Sequence, residues 1–458
     1  MRYLPHACRA LILAVGLSAC AGTTQQAVTA PRDSVQTLSG SGGVNAPAQR
    51  DKPYLILISI DGFKAEYFDR FELPGLRRVA QRGARAKAMI PVFPSLTFPN
   101  HYSLVTGLHP QRHGIVSNRF YDPARKDTYA LGDAQTVSDG SWYGGEPIWV
   151  TAETQGMVAA CYFWPGSEAA IKGVRPTTYN KYSSGVSNET RVQTVLDWLQ
   201  LPAERRPHMI TLYFSEVDEV SHSGPLESPD VLKAAQSVDA AIGSLVAGID
   251  GLPVRDQVYL VITSDHGMVN GSDAQTVRLE SLLDAPQLAD IAVGFGGPVA
   301  NLHITGGPAR AREIRDRINL RLARGTAYLR QDVPERLQFR ENPRAGDVVV
   351  VMDEAWAMST PRPAARTPAR PADAAAEQTA KPASPGRPPR ERWGMHGWDN
   401  AFPSMRAFFL VSGPGIRRGA IVDEVRTVDV YSLMTELLDL RPASGIDGEA
   451  GRIRALVK

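Results

Sequence analysis

The chain has 458 residues, 43% hydrophobic and 21% charged, with a formal net charge of +2 at pH 7. That balance excludes a chain too polar to fold. The near-neutral charge, with no basic stripe carrying interleaved aromatics, argues against nucleic-acid binding. The length suffices for one large α/β domain or for two smaller domains.

Taken from the start, Arg2 and Arg9 supply positive charge, and Ala10 to Leu17 is an apolar run too short to span a bilayer. Leu17-Ser18-Ala19-Cys20 resembles the lipobox of bacterial lipoproteins. Residues 1–20 therefore read as an export signal, with Cys20 as the lipidated first residue at the periplasmic face of a membrane. The simpler alternative is an ordinary signal peptide cut at the small residues, giving a periplasmic protein. Ala21 is compatible with delivery to the outer membrane. Residues 21–50, rich in Ala, Gly, Ser, Thr and Gln, read as a flexible tether, and residues 51–458 as the folded domain.

Tyr54 to Ile60 is a short, nearly unbroken apolar run rich in β-branched residues, the pattern of a strand buried on both faces. Met209–Phe214, Val258–Thr263 and the run from Ala407 to Val411 repeat it. Helical patterns lie between, at Glu189 to Leu201 and Val231 to Ile249. Alternating strands and helices predict an α/β doubly wound sheet, in which ligands collect beyond the carboxyl ends of the strands. Cys8 and Cys20 fall in the export segment, so Cys161 is the one cysteine of the mature body and forms no intramolecular disulfide there. Its strand-like setting, Val158 to Trp164, predicts core packing. Residues 267–356 contain further strand-like pieces, including Val299 to Ile304, and read as a smaller subdomain. Residues 360–390, dominated by Pro, Ala, Arg, Ser and Thr, read as a disordered insertion with structure resuming by Trp393.

Four segments carry metal-ligand chemistry. Asp61 follows the first strand-like run; Asp218 and His222 lie four residues apart; Asp265 and His266 are adjacent after the 258–263 run; His396 follows Trp393. Three carboxylates and three imidazoles supply donors for two zinc-type ions. A separation of four residues brings Asp218 and His222 to one side of a helical turn or tight loop. Gly267 is read as permitting a turn after the Asp265-His266 pair. A hydroxyl candidate, Thr97, precedes Phe98-Pro99, and proline favours the first turn of a helix, whose N-terminus would stabilise an alkoxide and a phosphate.

In order, Asp61-Gly62-Phe63, Thr97 to His101, Val105 to Pro110, His113 to Asn118, Asp218 to Pro225, Asp265 to Met268, and His396 to Asn400 with Ser404 to Ala407 resemble the nucleotide pyrophosphatase/phosphodiesterase family of the alkaline phosphatase superfamily. The resemblance runs from Tyr54 to about Leu440. It implies an alkaline phosphatase-like sheet with helices on both faces and a smaller inserted subdomain. It also implies two zinc ions: one held by Asp218, His222 and His396, the other by Asp61, Asp265 and His266 with the Thr97 oxygen. Thr97 becomes the nucleophile, and Asn118 the donor to a non-bridging phosphate oxygen. Phe98 and Tyr182 become the aromatic pair stacking a nucleobase, with packing as the alternative for Tyr182. His101, His109 and His113 read as structural. The implied reaction is hydrolysis of nucleotide phosphodiester or pyrophosphate bonds to nucleoside 5′-monophosphates through a phosphothreonine. A phosphomonoesterase or a lysophospholipid phosphodiesterase on the same scaffold is the alternative. The Thr97 region lacks the Cys/Ser-x-Pro-x-Arg motif of a sulfatase.

Overall fold

The computed structural model describes residues 42–361 and 391–458, all within one compact unit, Val35–Lys458. The export segment with Cys20, most of the tether and nearly all of the 360–390 insertion lie outside the described residues.

The unit is built on an eight-stranded sheet. Its first strands are β1 (Tyr54–Ile60), β2 (Gly83–Ile90), β3 (Ala159–Tyr162), β4 (Thr178–Asn180), β5 (Met209–Phe214) and β6 (Val258–Thr263). A second sheet follows, of β7 (Ile291–Phe295), β8 (Val299–Ile304), β9 (Gly325–Leu329) and β10 (Val348–Met352). The chain then returns to the main sheet with β11 (Phe409–Ser412) and β12 (Ile421–Arg426). The main sheet has the order β12-β2-β11-β6-β1-β5-β3-β4, and β11 alone runs against its neighbours. Every residue of β1 is buried, as its unbroken apolar run requires.

Alternate side chains of β1 divide between two cores. Leu55 and Leu57 join a cluster shared with helix α2 (Thr97–Thr106) and α7 (Asp429–Leu437). Ile56, Ile58 and Ile60 point the other way, toward α1 (Pro74–Arg82), α3 (Asn188–Leu199) and α5 (Pro229–Asp250). Helices thus cover both faces, as predicted. Cys161 belongs to the first cluster and is fully buried, and burial pushes its thiol up.

The second sheet, packed with α6 (Gly307–Arg321), has its own core around Leu302, Ile314 and Val350. That core also contains Trp393, Met395 and Trp398, so it grips the segment carrying His396. Trp393–Met395 pairs antiparallel with Val269–Gly271, directly after Asp265 and His266.

Two expectations need correction. Patterning missed β2 and β12, because Gly83-Ala84-Arg85-Ala86-Lys87-Ala88 carries little apolar bulk and β12 is largely exposed. The predicted tether also ends sooner than residue 50. Asn45 is buried; its Nδ2 donates to Ala203 O (3.0 Å) and Arg206 O (2.7 Å), and its Oδ1 accepts from Val158 N (2.8 Å). One short polar side chain thereby satisfies three backbone groups on two segments. Asn45→Ala leaves them without partners and is expected to cost about 2–3 kcal/mol, read as a lowered urea midpoint at unchanged slope.

Candidate metal centre

All the predicted ligands meet at the carboxyl edge of the main sheet. Asp61 leaves β1, Asp265 and His266 leave β6, and Asp218 with His222 lies on helix α4 (Glu216–Ser221), just after β5. Gly62 holds the first two segments together. Its φ of +66° is left-handed, and an added Cβ would come within 3.1 Å of Asp218. Its N–H donates to Asp265 Oδ1 at 3.1 Å. Gly267 works differently from the prediction. It is absent from the left-handed glycines, and a Cβ there would lie 2.1 Å from Ser404 O. Space for the 404–406 backbone, not a turn, is what demands glycine.

The three candidate ligand histidines share one arrangement. Each places Nδ1 against a backbone carbonyl: His222 on Gly394 (2.9 Å), His396 on Ser95 (2.9 Å) and His266 on Gly267 (3.0 Å). A carbonyl only accepts, so Nδ1 carries the hydrogen and the Nε2 lone pair is left for a metal, the usual outer support of an imidazole ligand. His222 Nε2 lies 3.3 Å and His396 Nε2 3.7 Å from Asp218 Oδ1. His266 Nε2 lies 2.9 Å from Asp265 Oδ2 and 3.5 Å from Asp61 Oδ1. The His266 and His396 rings stack with centroids 3.6 Å apart.

Buried Asp61 Oδ1, Asp218 Oδ1 and Asp265 Oδ2 have no hydrogen-bond partner. Buried carboxylate oxygens are otherwise paired, so three orphans aimed into one space fit a cation. The oxygen and nitrogen donors suit a zinc-type ion. Asp218, His222 and His396 form one triad by proximity; Asp61 also approaches Asp218 and His266 in one grouping, and His101 and Asp265 in another. His101 is not a ligand despite that proximity. Its Nε2 pairs with Ser59 Oγ (2.8 Å) and its Nδ1 with Thr97 O (2.9 Å), so both nitrogens are engaged. It is a structural histidine, as expected; His113, bonded to Ser103 Oγ at 2.9 Å, is another.

The electrostatics reflect crowded negative charge. Burial, then the charges of Asp265 and Asp218, raise the Asp61 carboxyl well above its usual range. For Asp218 and Asp265 burial also acts upward, but neighbouring imidazoles overcome it. His222 leads in bringing Asp218 down to about 2, and His266 leads in lowering Asp265. Burial depresses His266, yet Asp265 lifts it above its ordinary value. Burial and then His266 lower His396 to about 3.

Thr97 is the first residue of α2, with Leu96 as the N-cap, and its Oγ1 lies 3.4 Å from His266 Nε2. Asn118 accepts from Phe98 N–H through Oδ1 (2.9 Å), which leaves the amide NH₂ as the free donor end beside the threonine. Phe98 is half-buried and leans on Tyr129, with ring centroids 6.2 Å apart. Tyr182 is 47% exposed; its ring meets Phe163 and Tyr213, and its hydroxyl donates to Glu219 Oε1 (2.8 Å). No ring contact joins Phe98 to Tyr182 among the described residues.

Two supporting residues escaped sequence reasoning. Tyr213 donates its hydroxyl to Asp61 Oδ2 at 2.6 Å from 152 positions away. Asn100 bonds Val92 N (2.7 Å), Pro94 O (3.1 Å) and Leu96 O (2.9 Å), fixing the loop that delivers Thr97. Tyr213 sits on the buried β5, so no local signal marks it. The turn-like setting of Asn100 was legible, but its partners were not.

The chain matches the Type I phosphodiesterase / nucleotide pyrophosphatase family over residues 55–399. It is 35% identical over 435 residues to ectonucleotide pyrophosphatase/phosphodiesterase family member 1 of Homo sapiens, covering 90% of this chain and 42% of that protein. It is 34% identical over 430 residues to venom phosphodiesterase CdcPDE of Crotalus durissus collilineatus, covering 92% of this chain and 48% of that one. The chain thus spans less than half the length of these curated relatives. Murine ectonucleotide pyrophosphatase / phosphodiesterase 5 superposes with a TM-score of 0.77 at 27% identity, covering 88% of this chain and 100% of that chain. An inactive threonine-to-alanine variant of that murine protein, in complex with AMP, superposes with the same score.

Asp61 generates a test of the charge crowding. A carboxyl whose folded pKa is raised binds more protons folded than unfolded, so it destabilises as pH rises from about 4 toward the folded value. In chelator-treated protein at neutral pH, Asp61→Asn is therefore expected to raise Tm while lowering the metal content after reloading. A fall in Tm in the chelated state would contradict the crowding account.

Proposed function

The chain belongs to the type I phosphodiesterase / nucleotide pyrophosphatase family, and from that membership we propose that it hydrolyses nucleotide phosphodiester or pyrophosphate bonds to nucleoside 5′-monophosphates. The observation that carries this reading is the gathering of three unpartnered carboxylate oxygens with three imidazoles, one of which, His266, has its Nε2 3.4 Å from the Thr97 hydroxyl. The cofactor is two Zn²⁺. Asp218, His222 and His396 hold one ion; Asp61, Asp265 and His266, with Thr97 Oγ1, hold the other. Bound there, the ions supply Lewis acidity, easing loss of the threonine proton and offsetting charge on the phosphate.

Thr97 Oγ1 forms a new bond to phosphorus as the bond to the leaving group breaks. Water then cleaves the phosphothreonine and restores the hydroxyl. Asn118, oriented by Phe98 N–H, donates through Nδ2 to a non-bridging oxygen. Phe98 and Tyr182 offer aromatic faces to a nucleobase. The partners of Thr97 and Asn118 are an imidazole and a backbone N–H, not a lysine or arginine. A dianionic monoester would call for added cations, so a diester fits better.

Thr97→Ala is expected to keep its metal and lose at least about a thousandfold in turnover of bis-p-nitrophenyl phosphate. Asn118→Ala is expected to lose about 10²–10³ in kcat. Full turnover by the Thr97 variant would remove the nucleophile from this scheme. Rates on a nucleotide diester, a phosphomonoester and a lysophospholipid rank the substrate classes; a monoester rate far above the others would reverse the assignment.

The reading extends to export with lipid attachment at Cys20. No helix among the described residues is long and apolar enough to cross a membrane, and the acyl chains on Cys20 would supply the attachment. Cys20→Ser is expected to move the protein from the membrane fraction to the soluble fraction of cells expressing it; retention in the membrane would refute the anchor.

A further inference from the structure

A second cavity, of about 440 Å³, opens at the carboxyl ends of β2 and β12, away from the metal ligands. Two strands, β11 and β6, separate β2 from β1, and β6 itself ends at Asp265. The cavity and the metal centre thus share one sheet edge, at a separation of roughly 10 Å or more at about 4.8 Å per strand. His109, Arg336, Arg406 and Arg426 line the cavity together with Asn400 and Thr427, and no carboxylate is in the lining.

The cations are only partly neutralised. Arg336 is forked onto Asp399, and Arg406 Nη2 lies 3.1 Å from Glu424 Oε1. Arg406 Nη1 is nevertheless buried without a hydrogen-bond partner, and so is His109 Nδ1. Arg426 is exposed and has no ion-pair partner among the described residues. Two residues with unmet polar atoms and an unpaired guanidinium line one cavity that holds no carboxylate, a setting an oxyanion would suit, and the volume lies within the range of small-molecule sites.

We propose that this cavity is a second ligand site, for a small phosphate-bearing anion held by Arg406, Arg426 and His109. It stands apart from the metal centre, so it does not rest on the reaction assigned there.

The test is isothermal titration of full-length, metal-loaded protein with inorganic phosphate and, separately, with AMP, comparing the natural chain with Arg426→Gln and Arg406→Gln. The natural chain is expected to show two sites. In both variants one site is expected to weaken by about tenfold or more. Turnover of bis-p-nitrophenyl phosphate without added phosphate stays unchanged, which also shows that the variants fold. Equal affinity for the two probes assigns recognition to the phosphate alone; tighter AMP binding adds the nucleoside; either outcome supports the site. A single site in the natural chain, or isotherms identical across all three proteins, would overturn it. Thr97→Ala retains both sites while losing turnover, so the two assignments fail separately.

Discussion

Mutual repulsion of three buried carboxylates is the constraint around which the site is organised. Two like charges 4 Å apart interact by about 4 kcal/mol at the effective dielectric of a protein surface, and more in a drier setting. Asp61 faces two such neighbours, Asp265 and Asp218, and repulsion of that size is a large share of the roughly 5–15 kcal/mol by which a typical domain is stable. The crowding pushes the Asp61 carboxyl well above its usual range, and the Asp265 charge lifts His266 against the effect of burial. Cations between the carboxylates remove the conflict. The crowding that looks costly in the polypeptide alone is therefore what gives the site its affinity for metal.

Such a cluster persists only if the backbone leaves it no way to spread. The ends of the mutually parallel, buried strands β1, β5 and β6 supply that rigidity. Around them, backbone carbonyls of Gly394, Ser95 and Gly267 fix the three imidazoles. Ser95 also donates its hydroxyl to Trp398 O at 3.0 Å, so the loop ahead of Thr97 and the segment after His396 hold one another. Trp398 in turn sits in the subdomain core. The small sheet is therefore part of how His396 reaches the centre, although it contributes no ligand of its own.

The strands and ligands were legible because their signals are local. β1, β5 and β6 announce themselves as apolar runs, and a carboxylate at the end of such a run has one obvious place to go. The Asp218-His222 spacing survives in the structure as a helical turn. What stayed hidden is long-range or weakly patterned. β2 is built mainly of alanine, glycine and cations. Tyr213 is an ordinary aromatic of a buried strand until its hydroxyl meets Asp61. Gly267 was rightly singled out but for the wrong reason, since a close approach by a segment 137 positions away cannot be read from neighbours in sequence. His109 was placed among structural histidines; its N–H does bond Asp447 at 2.9 Å, but its ring faces the cavity at β2 and β12.

Tyr182 is tied to the candidate metal centre through helix α4. Tyr182 is the most exposed of the aromatic groups assigned to the site, yet its hydroxyl bonds Glu219 and lies 3.2 Å from Ser215 Oγ. Ser215 precedes α4, and Glu219 is the residue after Asp218. The Tyr182 hydroxyl and the Asp218 carboxylate are thus set by one six-residue helix. A rotation of α4 that displaced Tyr182 would also move Asp218 and His222. Phe98 is coupled similarly, since it follows Thr97 in α2 and its N–H orients Asn118. Phe98 therefore shares a helix with Thr97, and Tyr182 is held by hydrogen bonds to the helix that carries Asp218. A base seated between them would be registered against the reacting phosphorus by covalent geometry, without any further closure of the site.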